Sequence, residues 1–133
     1  MATQAGTRHT AQADAVAAAL VDAGGFRSAQ DIYARLRASG QAVGLSTVYR
    51  HLQSLASQGR ADIIQAPGGE ATYRYCQSQG THHHHLVCRH CGRAEEVSGP
   101  AVERWARGVA AEFGYTDIDH TVEVFGTCRS CAR

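Results

Sequence analysis

The chain has 133 residues, which at ~100–200 residues per domain allows one domain or two small ones and excludes a large multidomain enzyme. Ile, Leu, Val and Phe number 23, below the ~20 % share at which a globular core becomes thin, yet 13 basic residues nearly balance 12 acidic ones, so the high net charge of a disordered chain is absent. A thin core without excess charge calls for another staple, and five Cys and eight His supply the material for metal.

A first helix is predicted over 13–23, where Val16 and Leu20 stand one turn apart in an alanine-rich stretch and Gly24 and Gly25 end it. Ser28 with Asp31 three residues later reads as a capping box for a second helix carrying Ile32 and Leu36, closed by Gly40. Ser46 is the expected N-cap of a third, in which Val48, Leu52 and Leu55 form an apolar stripe and Thr47, Tyr49, Arg50 and Gln53 lie opposite. Two β-favouring runs, Ala61 to Gln65 and Ala71 to Cys76, flank the turn residues Pro67, Gly68 and Gly69. Three helices and a hairpin make a winged helix-turn-helix.

Composition changes after the polar stretch Gln77 to Thr81. Histidines 82–85 lead into short strands at Leu86-Val87-Cys88 and Ala94 to Val97 around a Cys-x-x-Cys turn. Pro100 opens a fourth helix with Val102, Trp105, Val109 and Phe113 on its apolar face and Gly114 at its end. Ile118, His120, Val122 and Val124 share one face of a last extended run before Cys128-x-x-Cys131. The expected fold class is α+β: a winged-helix domain at 1–80, a metal-binding hinge at 81–86 and a small α/β domain at 87–133.

No apolar run approaches the ~18 residues of a membrane span, and MATQAGTRHT at 1–10 has neither the basic nor the apolar part of a signal peptide. These features predict a cytoplasmic protein with no membrane partner. In a reducing compartment, regularly spaced cysteines favour metal over disulfides or redox chemistry, and five cannot pair fully. The basic residues, all Arg, are spread 7 against 5 acids over 1–80 and 6 against 7 over 81–133. Neither half has the basic footprint of a typical nucleic-acid binder.

Cys88-x-x-Cys91 and Cys128-x-x-Cys131 each place two thiolates on one metal and together complete a tetrahedral four-sulfur zinc site. A closed thiolate shell leaves no position for water, so the site is structural and not hydrolytic. In an extended backbone His83 and His85 project one way while His82 and His84 project the other, so one tetrapeptide can feed two metal sites. Cys76 is the fifth thiol, and Glu103 and His120 carry no signal by spacing alone. On the third helix, Arg50 suits guanine edges or phosphates and Tyr49 suits phosphates, with a plain solvated face as the competing account.

The sequence resembles the ferric uptake regulator family of metal-sensing repressors, in its zinc-sensing, actinobacterial form. The resemblance runs through FRSAQDIYARL at 26–36, VGLSTVYRHLQSL at 43–55, HHHHLVCRHCG at 82–92 and HTVEVFGTC at 120–128. It implies an N-terminal winged-helix DNA-binding domain, a C-terminal dimerisation domain, and zinc-dependent repression of zinc acquisition genes by a homodimer on a palindromic double-stranded operator. It also implies two to three Zn2+ per protomer: a structural zinc on Cys88, Cys91, Cys128 and Cys131, a regulatory hinge zinc on Asp62, Cys76, His83 and His85, and a further zinc on His82, His84, Glu103 and His120. DNA contacts then fall on Ser46, Thr47, Tyr49, Arg50 and Gln53, and neither catalysis nor a small organic substrate is expected. The chain departs from the family in its first helix. Thr10-Ala11-Gln12-Ala13 stands where the family usually has Thr-Arg-Gln-Arg, leaving Arg8 as the nearby cation.

The resemblance also implies a mechanism: Asp62 and Cys76 belong to the hairpin and His83 and His85 to the linker, so metal between them fixes the angle between domains. That angle sets the spacing of two recognition helices against half-sites ~34–36 Å apart. Alternatives are an iron or peroxide sensor of the same family, disfavoured because thiolate is a soft ligand, and, from another class, a zinc storage or buffering protein.

Overall fold

The computed structural model describes residues 3–76 and 82–132, with side chains from residue 10 onward. The elements are α1 (Thr3–Ala23), α2 (Ala29–Ala38), α3 (Leu45–Ser57), β1 (Ala61–Gln65), β2 (Ala71–Tyr75), β3 (His84–Cys88), β4 (Ala94–Val97), α4 (Pro100–Phe113) and β5 (Glu123–Gly126). The composition change predicted at 77–81 and the side chain of Arg8 lie outside the described residues.

The first helix begins ten residues earlier than the apolar spacing indicates, because the polar and alanine-rich stretch before residue 13 also favours helix. In α2 the capping geometry follows the sequence: the Asp31 N–H donates to Ser28 Oγ at 3.1 Å. The third helix corrects its expected start. Its N-cap is Gly44, in extended conformation with no side-chain cap, and the Val48 N–H donates to the Gly44 carbonyl at 3.0 Å. Ser46 therefore sits inside the first turn, exposed to solvent.

Val16 and Leu20 from α1, Ile32 and Leu36 from α2, and Val48, Leu52 and Leu55 from α3 interlock with Tyr73 of β2 in one core. Each such side chain contributes ~1.5–3 kcal/mol when fully buried. The β1–β2 hairpin runs in register from Ala61 opposite Tyr75 to Gln65 opposite Ala71.

A second sheet has the order β4-β3-β5, with β3 antiparallel to β4 and parallel to β5. The strand expected from Leu86 starts instead at His84, so two of the four histidines are locked into the sheet. The final strand is shorter than expected. It starts at Glu123, and Ile118, His120 and Val122 precede it. Helix α4 buries none of its residues, with Trp105 68 % and Phe113 67 % exposed. Among the described residues, no helix is long and apolar enough to cross a membrane.

The two parts meet along a narrow seam. Phe26 and Ile64 from the first pack with Val87 and Ala94 from the second, and Arg74 of β2 pairs with Glu96 of β4 at 3.0 Å. Backbone also meets backbone: the Phe26 N–H donates to the Gly92 carbonyl at 2.8 Å, and Gly25 bridges Arg93. A Cβ at Gly25 would strike the Gly92 carbonyl, and one at Gly92, where φ is +79°, would strike that of Phe26.

Candidate metal centres and the DNA-facing helix

Cys88 and Cys91 stand at the β3–β4 turn, and Cys128 and Cys131 follow β5. Because β5 runs parallel beside β3, the chain's last turn comes back to the first knuckle. All four Sγ atoms lie within 4.8 Å of one another, and Cys91 and Cys128 are 3.8 Å apart. Tetrahedral Zn–S bonds of ~2.3 Å require sulfurs ~3.8 Å apart, so the set fits zinc. The backbone N–H groups of Cys128 and Cys91 hold the Cys88 thiol down at about 5, whereas contact with Cys128 and burial push Cys131 up to about 12. One thiolate is stabilised by the fold; four adjacent ones need a cation.

The second cluster centres on Glu103, in the first turn of α4. Its Oε1 lies 2.7 Å from His84 Nε2, 3.0 Å from His120 Nε2 and 3.1 Å from His82 Nε2, and the Nε2 atoms of His82 and His120 are 3.2 Å apart. Donors on a zinc with ~2.0–2.1 Å bonds stand ~3.3 Å apart, which these separations approach. The hydrogen bond from His84 outweighs burial and lowers the pKa of Glu103. His84 Nδ1 is buried with no hydrogen-bond partner among the described residues.

The third cluster lies on the seam. Asp62 Oδ2 from β1 meets His85 Nε2 at 2.8 Å and His83 Nε2 at 2.9 Å, with Cys76 Sγ 3.8 Å from His83 Nε2. Burial raises the Asp62 pKa, but the hydrogen bonds and charge of His85 and His83 prevail and hold it at about 2. The odd and even histidines thus diverge into separate clusters, as an extended backbone requires. The donor atoms within 4.8 Å of one another at the seam are those of Asp62, Cys76, His83 and Glu96. His85 touches Asp62 but stands outside that mutual group, its ring edge-on to Phe26 with centroids 5.0 Å apart. No local pattern marks Glu96, because its arrival at the seam depends on its pairing opposite His85 in the β3–β4 register.

On α3, Ser46, Tyr49, Arg50 and Gln53 are exposed and Thr47 is half-buried. Arg50 donates to Thr47 Oγ1 at 3.2 Å, and Gln53 Nε2 donates to Tyr73 Oη at 2.6 Å. Ala11 is exposed and Ala13 half-buried on α1.

A three-helix unit with a β-hairpin, joined to a sheet that carries a four-cysteine cluster, is the architecture of a metal-responsive winged-helix regulator. The ferric uptake regulator family model matches residues 4–125, and the chain belongs to that family. Its relatives there include zinc regulators. The zinc uptake regulation protein of Mycobacterium tuberculosis H37Rv is 48 % identical over 127 residues, 96 % of each chain. The crystal structure of FurB from M. tuberculosis, a zinc uptake regulator, covers 96 % of this chain and 97 % of its own at TM-score 0.57 and 48 % identity. A zinc uptake regulator complexed with zinc and DNA covers 90 % of this chain and 80 % of its own at TM-score 0.70 and 28 % identity.

Proposed function

We propose that the protein is a cytoplasmic zinc-responsive repressor, not a catalyst, which binds a palindromic operator as a zinc-loaded homodimer and represses zinc acquisition genes. The division into a DNA-binding domain at 1–80, a hinge at 81–86 and a dimerisation domain at 87–133 belongs to this reading. The observation that carries it is the meeting, on one carboxylate oxygen of Asp62, of two imidazoles that enter from the other side of the seam.

Cys88, Cys91, Cys128 and Cys131 hold a structural zinc. Asp62, Cys76, His83 and His85 hold the regulatory one with Glu96 beside them, and His82, His84, Glu103 and His120 hold a third. Zinc supplies there a divalent charge and a preference for tetrahedral S, N and O donors. Asp62 and Cys76 ride on the hairpin that packs under α3, while His83 and His85 belong to the chain entering β3, so their shared occupancy sets the angle of α3 against the second sheet. Arg74 and Glu96 span the same seam as an ion pair. The exposed apolar face of α4, with Trp105 and Phe113, suits a second copy of the chain. Ser46, Thr47, Tyr49, Arg50 and Gln53 then face DNA.

The test is fluorescence anisotropy of the purified protein on a palindromic operator duplex, with free zinc titrated and the series repeated with iron and manganese. Tight, salt-sensitive binding with zinc alone is expected. Restoration by iron or manganese instead would make it a sensor of that metal, and no specific binding with any metal would leave zinc storage.

A further inference from the structure

Tyr73 is fully buried on β2 and packs in the helical core. Its ring fills space that Phe would fill equally well, so the hydroxyl needs a separate reason, since a buried polar group without a partner is costly. One partner is Gln53 Nε2, which donates to Tyr73 Oη at 2.6 Å. Gln53 belongs to the exposed face of α3, where an amide on a flexible side chain would otherwise sample many rotamers. Tyr49, 46 % exposed on that face, meets the Tyr73 ring edge-on with centroids 6.4 Å apart. The tether has a rigid base: the Tyr73 N–H and carbonyl both pair with Arg27, at 2.8 and 2.9 Å. Burial and a hydrogen bond with the Tyr49 side chain push the phenol up to about 12, so it is a neutral hydroxyl at physiological pH.

We propose that Tyr73 is a positioning residue for operator reading, its buried hydroxyl fixing the amide plane of Gln53 and thereby the base edge that Gln53 meets. The inference rests on the repressor reading above. With one N–H engaged by Tyr73, the amide presents Oε1 as an acceptor and its second N–H as a donor. That pair matches the N6 amine and N7 of adenine in the major groove.

The experiment selects from a pool of randomised duplex DNA with the zinc-loaded full-length protein, comparing wild type with Tyr73→Phe, Gln53→Ala and the double variant. Anisotropy then measures the best duplex and its single-base-pair variants at fixed salt. Discrimination at one base pair per half-site is expected to fall about tenfold in each single variant and no further in the double, with the salt dependence unchanged. Wild-type preference retained by Tyr73→Phe, with loss in Gln53→Ala, overturns the role of Tyr73. Full preference in Gln53→Ala shows that Gln53 reads no base, and the inference fails while the repressor reading stands. If wild type enriches no sequence, the repressor reading itself fails and this inference with it.

Discussion

Asp62 Oδ2 faces two imidazole nitrogens and has a carboxyl whose pKa falls from 3.8 to about 2 on folding. A depressed acid contributes stability to the folded state above its unfolded pKa and loses it as pH falls through the folded value. The zinc-free protein should therefore lose stability between pH 3.8 and about 2, and Asp62→Asn should flatten that part of an acid titration followed by circular dichroism. Cys76 is 2 % exposed beside the same carboxylate. Cys76→Ser should abolish zinc-dependent operator binding while size-exclusion chromatography still shows a folded dimer; unchanged zinc-dependent binding would remove Cys76 from the hinge set. Residue roles were legible to different depths. Two Cys-x-x-Cys pairs announce themselves by spacing alone, and the alternation of His82 to His85 follows from extended geometry. Glu96 reaches the seam only through the pairing of β3 with β4, which no local pattern encodes, and Gln53 owes its partner to a hairpin residue 20 positions away.

Helix α4 is amphipathic but has no fully buried residue. A Trp and a Phe left two-thirds exposed on one helix are unusual in a monomer unless they mark an interaction surface. Trp105→Ala should raise the dimer dissociation constant by at least ~30-fold, the equivalent of a ~2 kcal/mol interface residue. Analytical ultracentrifugation over a concentration series measures it, and an unchanged constant would take Trp105 out of the interface. In the core of α3, Leu52 is fully buried, and Leu52→Ala should cost ~2–5 kcal/mol in denaturant unfolding. Elements were legible where sequence marks were strong: the β1 bounds and the Gly114 stop of α4 coincide with the structure. They blurred where marks competed. Ser46 is a good cap by type, yet Gly44 takes the position, and the parallel pairing of β5 with β3 leaves Ile118 to Val122 outside the strand.

Across the whole molecule, the proposed regulation requires the seam to discriminate between two arrangements, and moving an equilibrium from 1:99 to 99:1 takes ~5.5 kcal/mol of differential affinity. Structural zinc sites with apparent binding energies of ~10–16 kcal/mol have that capacity. The cluster around Glu103 ties the histidine run to α4, so His84→Ala should shift the zinc titration of operator binding toward a shallower response, and an identical curve would count against a graded role. The seam itself contains Gly25 and Gly92, neither a metal donor, each placed so that an added carbon would collide with the backbone opposite. The clearance between the DNA-reading part and the cysteine knuckle is thus smaller than a methyl group. That tolerance gives the four-cysteine knuckle and α3 a common mechanical datum: whatever tilts the knuckle's turn tilts the surface on which the other half is seated.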